Sequence, residues 1–376
     1  MTEQRTQSDN KLYKIRRLLK YAVFAFILII FVISLSVYSY ASYNRFFAEV
    51  YSNTVSRFIR SILATLTRLL PFSLTETIVV VGVPAIILLL LRALVLWLYY
   101  GDSKNIKHFI KTSVYLILIL SIVFINSFGV CYKRLPVSYL MDIEGADITT
   151  EDVFISAHIA ASVASRFCTD AVRLADGSTS MPYSFDEMVE KIHNGYRNIL
   201  SDTQEKLSVK PVALSKAWSY TRISGMYFPF TGESNINMNF PDFSLAFTTA
   251  HEIAHQLGFA DEQDANMLAF LALSYSDDDY LIYSAYLNAY DYLVADLNSD
   301  KASLIIANTD RRLVHELSAY YSHLENYRND IIADISSEIN DSYLKSNGIA
   351  EGTKSYGKVT FLICAFMKSV YPEFYG

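Results

Sequence analysis

The sequence predicts a mostly helical α+β protein in two parts, N-terminal transmembrane helices followed by a larger domain with a small sheet. Three observations carry this reading. Three long apolar runs fall within the first 130 residues. Apolar residues at three-to-four spacing dominate the rest of the chain. One short stretch alternates polar and apolar with period two. Composition agrees. The chain has 376 residues, 52% hydrophobic and only 19% charged, against about 25% charged in an ordinary soluble domain. Its 28 Tyr and 23 Phe exclude a disordered, solvated chain. The net charge of −6 gives no support to a nucleic-acid partner. Three cysteines are too few for a disulfide framework.

The apolar runs cover residues 21–40, 78–99 and 114–130. Each is about long enough to cross roughly 30 Å of hydrocarbon as a helix. Lys and Arg set the orientation. The N-terminal tail carries Arg5, Lys11, Lys14, Arg16, Arg17 and Lys20, and the loop before the third run carries Lys104, Lys107 and Lys111. The loop between the first two runs holds Arg45, Arg57, Arg60 and Arg68. The positive-inside rule then places the N-terminus in the cytoplasm. A multi-pass cell-membrane protein is expected, with the lipid bilayer as its first partner. Residues 1–130 form the anchor and residues 131–376 an extracytoplasmic domain. The first run lacks a small-x-small cleavage site and reads as a retained anchor. In residues 51–70, the three arginines lie among apolar residues. That pattern fits an amphipathic helix on the outer membrane surface, or one packed against the spans or the outer domain.

In the outer part, residues 151–175 show helical spacing and 176–180 read as a loop. Ser184 and Glu187 form a capping box that opens a helix running to about residue 200. Helical patterns return from residue 244 onward. Residues 234–240 alternate strictly and read as a strand, which Pro241 and Asp242 end.

Immediately after comes His251-Glu252-Ile253-Ala254-His255, an HExxH motif. On a helix, residues i and i+4 share a face, so His251 and His255 could grip one Zn²⁺. Glu252 is then the expected general base toward a metal-activated water. Zinc needs a third protein ligand and an open fourth position. An uninterrupted helix would carry Glu262 about 10 Å past His255. Gly258 could break the helix, and the chain could turn back. Glu262, Asp261 and Asp264 are the candidates for the third ligand. Asn266 would sit one turn past Glu262 and could orient a ligand. A late helix carries His315, Tyr320, Tyr321 and His323, any of which could donate to an oxyanion.

The chain resembles a bacterial family of three-span membrane proteins known as a domain of unknown function. The resemblance rests on Leu70-Pro71-Phe72-Ser73-Leu74, on residues 227–235, on the HEIAHQ block with its ExxAN, and on Tyr343-Leu344-Lys345 with residues 354–357. Members usually carry ExEAN, whereas this chain has Asp264 at the second acid. That favours Glu262 as ligand. The resemblance implies a zincin-like metallopeptidase with a Zn²⁺ cofactor. The ExxAN is also partly similar to the ExxAD of the CAAX-prenyl proteases, which keep a longer gap after HExxH. In zincins an edge strand beside the active-site helix binds extended peptide. Residues 234–240 are the candidate for that strand, with Asn235 and Asn237 as substrate contacts and Glu233 or Tyr227 lining the cleft. The function expected is hydrolysis of a peptide or protein substrate at a metal-activated water. Two alternatives remain beside it, a non-catalytic zinc-binding sensor or interaction protein and a zinc hydrolase acting on cell-wall amides.

Overall fold

The computed structural model describes residues 2–168, 172–200, 206–347, 349 and 359–375, with side chains from Tyr13 onward. The described residues are mostly helical, with two small sheets. Among the described residues, three helices are long and apolar enough to cross a membrane: Tyr13–Tyr43, Leu74–Tyr100 and Ser103–Ser127. Each begins earlier than its apolar run, because hydropathy marks the oily centre and caps mark the helix. Asp102 caps the third, its side chain accepting from the Lys104 amide, and Gly101 at φ +68° turns the second into the third. The third helix also ends earlier than expected, and residues Gly129–Lys133 form a 3₁₀ turn.

Between the first and second apolar helices lies a connector. It comprises helix Arg45–Tyr51, a π turn Ser52–Ser56 and helix Arg57–Arg68. It is bound to the larger C-terminal domain throughout. Thr67 donates to Ser208, and the Lys210 ammonium reaches the Leu70 carbonyl. The Glu233 carboxylate accepts from the amides of Leu74 and Thr75 and from the Thr75 hydroxyl, at 3.1, 2.9 and 2.8 Å. It therefore sits on the N-terminus of the second apolar helix, where a negative charge meets the helix dipole. In return, Glu76 accepts from the amides of Ala213 and Leu214.

The domain's core is helix on helix. Helix Thr150–Phe167 packs against helix Asp279–Ala295, and helices Asp242–Gln256 and Glu262–Ser274 lie against the latter. Phe243, Ile253, Met267, Phe270, Tyr283 and Tyr290 are fully buried there. Thr149 with Asp152, and Ser184 with Glu187, cap their helices reciprocally. The first of these helices stops at Phe167 rather than continuing to residue 175. Strands β1 (Val172–Arg173) and β2 (Thr179–Ser180) form a short antiparallel hairpin where a helix end and a loop are expected. Glu316 explains it: the buried carboxylate accepts from the Thr179 amide and hydroxyl and pairs with Arg173.

The second sheet has three strands: β3 (Val209–Pro211), β4 (Gly225–Phe228) and β5 (Glu233–Ile236). Their order is β3-β5-β4, with β5 parallel to β3 and antiparallel to β4. The alternating stretch is thus a central strand, not an edge, and it ends at Ile236. The Ser234 hydroxyl donates to the Glu252 carbonyl and ties β5 to the HExxH helix.

Candidate metal centre

The HExxH helix, Asp242–Gln256, is buried on nearly every face. Small and apolar residues allow this: Ala246, Ala250, Ile253 and Ala254 are all 0% exposed. The helix ends at Leu257, and Gly258 follows at φ +96°. A side chain at 258 would meet the Arg60 guanidinium, so glycine is required there for space as well as for conformation. The chain reverses, and Asp261 caps helix Glu262–Ser274 by accepting from the Gln263 amide.

This reversal brings Glu262 back over the two histidines. One ligand atom each from His251, His255 and Glu262 lies within 4.8 Å of the others. The two Nε2 atoms are 3.0 Å apart, and Glu262 Oε2 lies 3.2 Å from one and 3.4 Å from the other. Four ligands about 2.0–2.1 Å from a tetrahedral ion would stand about 3.3–3.4 Å apart. The other ring nitrogens fix the tautomers. His255 Nδ1 donates to the Phe259 carbonyl at 2.7 Å, and His251 Nδ1 to Asn266 Oδ1 at 2.8 Å. Each Nε2 therefore turns a lone pair toward the other and toward the carboxylate. Three acceptors converging in a buried site need a shared positive charge. Without a metal, a proton supplies it: burial disfavours charge on His255, but Glu262, Glu252 and the Phe259 carbonyl together outweigh burial and raise the ring's pKa to about 9. Glu262 is itself held far below the ordinary carboxylate range by both imidazoles, against its own burial. A divalent cation fits the same position and the same donor set.

Glu252 points into the site from the next position on the helix. Burial raises its pKa, the histidines oppose that, and the Tyr227 amide donates to it. Among the described residues its Oε2 has no hydrogen-bond partner. Strand β4 passes very close: a Cβ on Gly225 would stand 2.7 Å from Glu252 Cγ. Asp261 and Asp264, the other candidate ligands, are engaged elsewhere. Asp261 is the helix cap. Asp264 accepts from the Val137 amide, and burial followed by the neighbouring Asp261 pushes it up to about 8.

The remaining expected contacts are displaced. Asn235 and Asn237 are both 0% exposed. Asn235 binds Ser73 and the Met226 and Glu233 carbonyls, and Asn237 binds Ser219 and the Ile223 carbonyl. They latch the sheet and do not face a substrate, because a central strand spends its side chains on its neighbours. Glu233 is the helix cap described above. His323 packs on Phe240 and Tyr327, and Tyr321 donates to Asp291.

Several residues at the site were not legible from the motif. The turn 256–259 offers four successive carbonyls. Arg60, 1% exposed, donates to those of Gln256 and Leu257, both at 3.1 Å, and also to Ser127 and Ser52 carbonyls and Cys131 Sγ. Arg134 donates to the Gly258 carbonyl at 3.0 Å, stacks 4.1 Å over Phe259 and pairs twice with Glu49. The Phe259 carbonyl is the one left for His255. Phe128, just past the third apolar helix, meets His255 edge-on at 6.1 Å and Tyr227 at 5.1 Å. Tyr343 hydrogen-bonds Tyr132 at 3.3 Å; burial first, and Glu262 among the further causes, raise its hydroxyl to about 12. A basic or aromatic residue in a connector carries no local signal of such a role, although Tyr343 stands in one of the blocks that carry the family likeness.

Over residues 51–364 the chain matches the family described as protein of unknown function DUF3810, and it belongs to that family. The matched region starts inside the connector and includes Arg60, the second and third apolar helices and the whole candidate centre. No curated protein and no solved structure matches the chain.

Proposed function

We propose that this chain is a membrane-anchored zinc metallopeptidase, its N-terminus cytoplasmic and its domain on the outer side. The observation that carries the reading is the convergence of His251 Nε2, His255 Nε2 and Glu262 Oε2, with Glu252 beside them and otherwise unpaired on one oxygen. His251, His255 and Glu262 would hold the ion. When bound, Zn²⁺ would act as a Lewis acid and lower the pKa of a bound water toward about 7. Glu252 takes the proton of the attacking water and later hands it to the leaving amine. Asn266 and the Phe259 carbonyl keep both imidazoles in the ligating tautomer. The Tyr343 hydroxyl is the candidate donor to the developing oxyanion. Extended peptide would lie along β4, the edge strand that Gly225 brings against Glu252.

The test pairs metal content with hydrolysis on purified protein. Wild type should hold about one zinc per chain. Glu252→Gln should keep that zinc and lose hydrolysis of a peptide library by on the order of 10²–10⁴-fold. His251→Ala should lose both. Full function in Glu252→Gln would leave a metal-binding sensor instead.

A further inference from the structure

The helix Arg57–Arg68 and the π turn before it are inside out. The buried stripe reads Ser52, Ser56, Arg60, Ala64 and Thr67, all polar or small and none more than 5% exposed. The opposite stripe reads Val55, Phe58, Ile62, Leu66 and Leu69, between 42% and 79% exposed. Both stripes step by three and four residues, so each is one continuous helix face. A surface helix in water turns its apolar face to the core and its polar face to solvent. Here both choices are reversed over about five helical turns. Asn53, Thr54, Thr65 and Arg68 flank the apolar stripe and are exposed, the arrangement of a helix lying at a membrane interface.

Exposed apolar side chains recur far along the chain, on a helix whose buried residue is Leu344. Helix Asp330–Ser346 exposes Ile331, Ile335 and Ile339 at 73%, 54% and 65%, while Ala333 and Ser336 are half-buried. Its last turn is fastened to the end of the third apolar helix. Tyr343 meets Phe124 at 6.3 Å, and Lys133 donates to the Asn347 carbonyl at 2.8 Å. Both exposed apolar faces therefore adjoin helices that are themselves membrane-spanning in length and hydropathy.

We propose that these two faces are bedded in the bilayer surface, and that the lipid bed holds the candidate centre at headgroup level. The occupant is lipid because the connector is continuous at both ends with the apolar helices, and because flanking polar residues frame its stripe. The depth follows from one residue. Arg60 on the buried side of the connector grips the carbonyls directly after His255, and the far side of the same helix is the lipid face. A helix is about 10–12 Å across with its side chains, so little more than one helix separates the ligand turn from lipid. This holds whatever chemistry the centre performs.

The experiment is nitroxide accessibility on the full chain in phosphatidylcholine–phosphatidylglycerol vesicles. Single cysteines replace Phe58, Ile62, Leu66, Ile335 and Ile339. The native Cys131, Cys168 and Cys364 are buried and stay in place. Leu88→Cys on the second apolar helix is the lipid reference and Glu325→Cys the water reference. The prediction is that all five sites collide with oxygen more than Glu325 does, though less than Leu88 at mid-span, and several-fold less with a water-soluble nickel chelate than Glu325 does. Nickel access equal to that of Glu325 would overturn the proposal. So would protection from both reagents with dipolar broadening, because a second copy would then cover the faces. Loss of zinc or of hydrolysis has no bearing on these readings, so the proposal and the peptidase function fail separately.

Discussion

Two helices meet at Arg60 and obey opposite rules. The HExxH helix Asp242–Gln256 is buried on nearly every face, with small and apolar residues such as Ala246, Ala250 and Ala254 where neighbours press closest. The connector helix Arg57–Arg68 hides an arginine, an alanine and a threonine, and shows phenylalanine, isoleucine and leucine. The first is shaped by a protein interior, where close packing and satisfied polar groups decide what fits. The second has carbonyls on one side and, among the described residues, exposed apolar side chains on the other. Its polar face is useful inward because the C-terminal turn of the first helix leaves carbonyls that need donors. Amphipathicity thus gives the axis of asymmetry but not which side is buried.

The sharpest test sets one isoleucine from each helix side by side. Ile253→Ala should cost about 2–5 kcal/mol, as buried large-to-small changes do. Ile62→Ala should cost less than about 0.5 kcal/mol, as changes away from packed features do. Unfolding in detergent micelles reads both, and equal losses would erase the contrast. Removing Arg60 attacks the junction itself. Arg60→Met orphans at least two buried carbonyls, each worth about 1–3 kcal/mol, so a loss of about 3 kcal/mol is expected. Zinc affinity should fall with it, because the Phe259 carbonyl that orients His255 belongs to the same turn. Arg60→Lys should recover only part, since a single ammonium cannot reach the spread of acceptors a guanidinium does. An unchanged melting point in Arg60→Met would show the clamp to be ornamental.

If the buried helix works where the inverted one meets lipid, substrates should arrive along the membrane. A peptide tethered by a spanning segment in the same vesicle should be cleaved on the order of 100-fold faster than the free peptide at equal bulk concentration, through effective concentration alone. Equal rates would separate the centre from the membrane surface. The smallest effect concerns Glu49, the connector's partner for Arg134. Burial works to raise its pKa, but the Arg134 bonds prevail and hold it below its ordinary value. Its contribution to stability is therefore present above the unfolded value and lost as pH falls through the lower folded one. Glu49→Gln should flatten the stability curve below about pH 4.5 by under about 1 kcal/mol. A curve parallel to wild type would remove Glu49 from the clamp.

The sequence by itself determined the three apolar helices, the capping box at Ser184, and the two histidines on one helical face. These are local facts: a span is a length of apolar residues, a cap is a spacing of three, and i, i+4 is one turn. It also narrowed the third acid to Glu262, Asp261 and Asp264. The family likeness already favoured Glu262, and the tertiary structure gives the reason: the positive φ at Gly258 turns Glu262 back while Asp261 caps and Asp264 binds Val137. The structure alone moved the edge role from residues 234–240 to β4, since strand order depends on pairings distant in sequence. It alone drew Asn235 and Asn237 into the sheet. Above all it put Arg60, nearly two hundred residues away, against the carbonyls that follow His255. A buried acceptor takes its donor from whatever element packs beside it, and no spacing along the chain records that.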